Sequence, residues 1–164
     1  MSDASELEQG EDPAAVAVEN ALRKARAAHR DGTVEAVLGC DTIVVLDGLI
    51  YGKPADAPAA RVTLAALGGR THEVISGVAL LRAQGDGEVT ERTAVARTRV
   101  TFREIDQALL DWYLATEEWR GRSGGYAIQG AGAALALAVD GEEENVVGLP
   151  LGTLRTLCPE LFGG

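Results

Sequence analysis

The segment from Val34 to Leu46, VEAVLGCDTIVVL, most limits what this chain can fold into. It is β-branched and apolar enough to read as a strand buried in a sheet. Asp47-Gly48 ends it with a strong hairpin signal, and LIYG follows as a short partner strand. A strand committed to a hairpin needs a sheet around it, and the rest of the sequence supplies one. Residues 71–82, THEVISGVALLR, read as another strand and run into a QGDG turn. A long strand follows from about Val89 to Phe102, where Ala94, Ala96, Thr98 and Val100 alternate with Val95, Arg97 and Arg99. ALALAVDG adds one more strand and turn.

Helical patterns fall between these strands. Residues 1–11 read as a mobile acidic lead, after which Asp12-Pro13 gives an N-cap and a first-turn proline. The next stretch, to about His29, places Val18, Leu22, Ala25 and Ala28 on one face, and Asp31-Gly32 stops it. Asp56 and Pro58 open a second helix, which carries Leu64 and Leu67 and closes at Gly68-Gly69. A third is expected over roughly 104–116 with Ile105, Leu109 and Trp112 buried, and Pro150 starts a last one through Leu151, Leu154 and Leu157. Helices interleaved with hairpin-linked strands predict an α/β fold: a mixed twisted sheet with flanking helices, in one domain over 12–164.

Bulk properties narrow the function classes. The chain has 164 residues, enough to bury a core, and a net charge of −10, which argues against a nucleic-acid polymer as partner. No apolar run is long enough to span a bilayer, and the polar start is wrong for a signal peptide. Cys40 and Cys158 have no metal-ligand spacing and read as ordinary thiols in a reducing compartment, with the cytoplasm as the default location. Arginine outnumbers lysine so heavily that the two lysines, Lys24 and Lys53, attract notice as sites wanting a compact ammonium.

Asp41 is the most informative residue, because it interrupts an otherwise apolar strand. A buried carboxylate needs a hydrogen bond, a cation or a metal. One reading is a strand-end Asp capping a nearby turn; the other is a metal-binding carboxylate or general base at the mouth of a cleft. Lys24, on the preceding helix, and Lys53, after the hairpin, can converge on the strand end that bears it, where lysine serves as a point charge for phosphate. Both are also compatible with a solvated surface. In GGYAIQGAGA, Gln129 offers a donor and an acceptor suited to a base edge, and the flanking glycines suit either close backbone approach to a ligand or tight turns. His72 reads as structural, Asn145 as a cap or loop tie, and Ser76 and Ser123 have no visible relay for serine chemistry.

GCDTIVV, GKP, GGRTHEVISGVAL, GGYAIQGAGA and NVVGLPLGTL, in this order from about Asp12 to Leu157, resemble the Maf family of nucleotide pyrophosphatases. The resemblance implies an inosine-triphosphatase-like α/β fold with a central cleft, a divalent metal cofactor (magnesium or manganese), and hydrolysis of nucleoside triphosphates to monophosphate and pyrophosphate. By it, Asp41 resembles the catalytic, metal-binding carboxylate, and Lys24 and Lys53 the phosphate-binding lysines. Thr42 and Gln129 match positions that choose the base, and the pattern resembles the branch acting on dTTP and UTP. Glu6 falls near a family metal-site glutamate. A homodimer is an open expectation.

Three departures from the family pattern stand out. Arg122-Ser123 replaces the more usual Lys-Ala, and Glu142-Glu143 an apolar or aromatic pair. The strand and Ser-x-x-Arg turn with which the family begins have no counterpart ahead of MSDASELEQGEDP. This leaves two expectations open: a start codon assigned too far downstream, or a chain impaired in turnover. The competing function is a non-catalytic nucleotide-binding or septum-regulating module.

Overall fold

The computed structural model describes residues 12–31, 36–83, 87–141, 145 and 151–157. The acidic lead with Glu6, the Glu142-Glu143 pair, Pro150 and Cys158 lie outside these described residues.

Helix α1 spans Pro13–Asp31, and the Asp12 carboxylate accepts the Ala15 N–H at 3.3 Å, as its sequence position predicts. Strands β1 (Ala36–Leu46) and β2 (Leu49–Tyr51) form the hairpin. Asp47 and Gly48 both take left-handed φ values, 52° and 78°, the conformation of a two-residue turn that matches strand twist. Helix α2 (Ala57–Leu67) is capped by Asp56, whose Oδ1 accepts the Ala59 N–H at 2.9 Å. Strands β3 (Thr71–Ala83) and β4 (Val89–Phe102), helix α3 (Gln107–Ala115), strand β5 (Ala136–Gly141) and helix α4 (Leu151–Leu157) complete the chain, with short 3-10 turns at Ser123–Gly125 and Ala131–Ala134.

The strands make one sheet in the order β2-β1-β3-β4-β5. The expected α/β architecture with flanking helices is present, and each described pairing is antiparallel. One face of the sheet carries the main core, in which Val44, Leu46, Val74, Val100 and Phe102 pack against Leu64, Leu67, Leu110, Tyr113, Tyr126 and Leu135. The opposite face is covered by α1. No described helix is long and apolar enough to cross a membrane.

Two expected helix faces need correction. In α1 the buried stripe is Ala14, Ala17, Ala21 and Ala25, whereas Val18 and Leu22 are half-buried and Ala28 is exposed. The cause is the sheet beneath: a Cβ on Gly39 would collide with the Ala21 carbonyl, and one on Gly77 with the Ala17 backbone. Helix and sheet approach so closely that only alanine fits between them. In α3, Asp106 is the N-cap, with its Oδ1 accepting the Leu109 N–H at 2.8 Å, so the helix starts later than expected. Leu110 and Tyr113 face the core, the expected Ile105 and Leu109 pack against it half-buried, and Trp112 stands 49% exposed.

Candidate active site

Strand β1 positions the site. It pairs with β3 from Ala36 to Val45 but with β2 only over Val44–Leu46, so its remaining length is paired on one side among the described residues. A cleft of about 210 Å³ lies across this edge. Its walls come from both faces of β1 (Asp41 from one, Thr42 and Val44 from the other), joined by Lys24, Lys53, Arg122 and Tyr126.

Asp41 faces α1, and two side chains one helical turn apart on α1 hold its carboxylate. Lys24 Nζ donates to Oδ1 at 2.8 Å, and Asn20 Nδ2 donates to Oδ2 at 3.1 Å. Lys24 also reaches the Cys40 carbonyl at 3.3 Å. The i, i+4 spacing of Asn20 and Lys24 puts both donors on the same helix face. Asp41 is 17% exposed and Lys24 54%, so the carboxylate is fixed within the wall while the ammonium reaches water. Opposite Asp41 in the register stands Gly77, whose missing side chain lets α1 come near enough for these contacts.

On the other face Thr42 and Ser123 line the cleft, and a chain of hydrogen bonds links them to the buried Ser76 behind. Thr42 Oγ1 and Ser76 Oγ, cross-strand neighbours, lie 2.6 Å apart, and Ser123 Oγ donates to the Thr42 carbonyl at 2.5 Å. Beneath them, His72 Nε2 and the Tyr126 hydroxyl are 2.7 Å apart in a cluster with Phe102. Burial lowers the His72 pKa to about 4, which keeps the ring neutral near pH 7 and out of proton transfer there. His72 is therefore structural, as its sequence position suggests. The buried Asn145 donates from Nδ2 to the Val74 carbonyl at 3.0 Å and to Thr98 Oγ1 at 3.1 Å.

Of the residues singled out from sequence, Asp41, Lys24, Lys53 and Thr42 share this cleft. Gln129 does not line it; the residue is exposed in the turn at 128–130. The glycine-rich segment around it is built on an internal carboxylate. Glu118 accepts the N–H groups of Ala131 and Gly132 at 2.8 and 3.1 Å, so those amides already have their anion. Sequence reasoning missed Asn20, Ser76 and Arg122 as members of the site. The signal for Asn20 was present, because it lies four residues before Lys24 on one helix.

Among the described residues no three His, Cys, Asp or Glu side chains cluster to hold a metal, and Asp41 is the only carboxylate lining the cleft. Magnesium is commonly held by one or two carboxylates, with substrate phosphates and water filling the other positions. A single carboxylate in a cleft lined by two lysines fits that arrangement.

A family profile described as Maf-like protein matches residues 1–161. The chain is 49% identical over 130 residues to a dTTP/UTP pyrophosphatase of Anaeromyxobacter sp. (strain Fw109-5), covering 79% of this chain and 63% of that protein. It is 41% identical over 140 residues to the dTTP/UTP pyrophosphatase of Pyrococcus furiosus, covering 85% and 71% of the two chains. To that of Moorella thermoacetica it is 46% identical over 152 residues, covering 92% and 76%. The chain thus spans less than two thirds of the length of the Anaeromyxobacter relative and about three quarters of the other two.

Proposed function

This chain belongs to the Maf-like protein family, and from that premise we propose that it is a nucleoside triphosphate pyrophosphatase acting on dTTP and UTP. The observation that carries the proposal is the meeting of Asp41 with both lysines of the chain in one cleft.

In this reading water attacks the α-phosphorus of the bound nucleotide. Asp41 accepts the water proton, the bond from the α-phosphorus to the bridging oxygen breaks, and pyrophosphate leaves with that oxygen. Lys24 has two tasks. Without substrate it holds the Asp41 carboxylate at 2.8 Å; with a triphosphate present its half-exposed ammonium turns to the phosphates and leaves an Asp41 oxygen open to the attacking water. Asn20 keeps the other oxygen, so the carboxylate does not swing when Lys24 departs. Lys53 offsets charge building on the leaving pyrophosphate. Asp41 is the residue that would hold magnesium or manganese, and such an ion supplies further neutralisation of the phosphate oxygens.

The cleft is smaller than the roughly 300–1,000 Å³ common for ligand sites. The phosphates are the part of the substrate that its lysines would take. Thr42 is the base-choosing residue that lines the cleft, and a role for Gln129 requires the base to reach past the rim toward the exposed turn. Cytoplasmic location suits a nucleotide substrate.

Pyrophosphate release tests the proposal, using dTTP, UTP and 7-methyl-GTP with magnesium or manganese. Turnover of the two pyrimidine nucleotides is expected to exceed that of 7-methyl-GTP by at least about tenfold, a modest difference in transition-state binding. No turnover of any of the three, with nucleotide binding retained, would replace the enzyme by a binding module.

A further inference from the structure

The cleft contains a third cation that the mechanism above does not use. Arg122 lines it as Lys53 does, and among the described residues neither has an ion-pair partner. Other arginines of the chain are differently placed: Arg61, Arg70 and Arg120 each sit on a carboxylate at 2.6–2.7 Å. A guanidinium left unpaired in a cleft keeps its planar donor fork for a ligand, and phosphate is a good match for that fork.

The backbone around Arg122 is held at the site by two ties. Ser123 Oγ donates to the carbonyl of Thr42, next to Asp41. The Gly124 N–H donates to the Gly52 carbonyl at 3.1 Å, which joins this turn to the segment presenting Lys53. Gly125 N–H closes the turn on the Arg122 carbonyl at 2.9 Å. Gly124 has φ 72° and lies so close to Val44 that a Cβ would come within 2.7 Å of Cγ2. The turn is thus pressed onto β1, and Lys53 and Arg122 reach the cleft from two stitched segments.

We propose that Arg122 is a third phosphate-binding residue of the cleft, gripping the leaving pyrophosphate portion together with Lys53, and that Ser123 is the positioning residue that seats its turn on β1. This rests on the triphosphate reading above. Asp41 and Lys24 mark the α-phosphorus end, so the stitched pair of Lys53 and Arg122 faces the β- and γ-phosphates.

Calorimetric binding of inorganic tripolyphosphate to the full chain separates the possibilities. Arg122→Ala is expected to weaken binding about tenfold, the size of one charge-assisted contact, with Arg122→Lys recovering part of it. Ser123→Ala is expected to weaken binding about threefold when Arg122 is present and to have no effect in the Arg122→Ala background, a coupling that a purely structural hydroxyl would not produce. With dTTP, Arg122→Ala should raise KM and lower kcat/KM. Equal tripolyphosphate affinity in wild type and Arg122→Ala overturns the Arg122 assignment and leaves the triphosphate reading intact. If Ser123→Ala weakens binding equally in both backgrounds, the latch role fails. Wild-type protein that binds no tripolyphosphate sinks the triphosphate reading, and this inference with it.

Discussion

Asp41→Asn is expected to lower dTTP turnover by at least about 100-fold, the smaller end of what a positioned general base contributes. The change removes the proton acceptor and keeps the shape of the side chain. One amide oxygen remains to accept from Asn20 Nδ2, and Lys24, already 54% exposed, can extend into water. Stability should therefore change little, because a half-exposed ion pair is worth about 1 kcal/mol or less. Nucleotide affinity measured without a divalent ion should hold or improve, since a negative charge beside the phosphates has been removed. Paired measurements of kcat and the thermal midpoint check this. Turnover surviving within a few-fold would show that the proton goes elsewhere.

The second large effect is on packing. Gly77→Ala should destabilise the fold by about 1–3 kcal/mol, the usual cost of forcing extra volume into a filled site. Its new Cβ would collide with the Ala17 backbone, and a helix backbone cannot give way as a flexible side chain can. To relieve the clash α1 must lift off the sheet, carrying Asn20 and Lys24 away from Asp41. Activity should fall together with stability, since displacing a catalytic contact by about 1 Å can cost on the order of 100-fold. Gly52→Ala is the control for stability, because a Cβ there meets nothing within 4 Å. Equal melting temperatures for wild type and Gly77→Ala would mean that α1 does not need the glycine beneath it.

These two residues also show what the sequence can disclose. Asp41 was legible because a carboxylate in an apolar strand violates the local pattern, and Lys24 and Lys53 because lysine is scarce in this chain. The strands were legible because period-two patterning and turn residues such as Asp47-Gly48 are local signals. The burial of α1 was not. Its contact stripe is all alanine apart from Val16 beside it, and it is selected by Gly39 and Gly77 in strands far along the chain. Periodicity favours the larger Val18 and Leu22, which the close helix–sheet approach pushes to the margin. Trp112 was misplaced for a related reason, since the Asp106 cap sets which residues of α3 face inward. Ser76 and Arg122 join the site only through strand register and the Gly52–Gly124 tie, neither of which a single sequence displays.

Gln129 marks the other boundary. Its motif matches a base-choosing position, yet the glycine-rich turn it occupies is organised around Glu118, and the side chain is outside the cleft.

Turnover of dTTP in oxygen-18-labelled water tests the central claim, attack on the α-phosphorus beside Asp41. Label is expected in thymidine monophosphate, with none in the released pyrophosphate. Label in pyrophosphate, or products of thymidine diphosphate and orthophosphate, would contradict it.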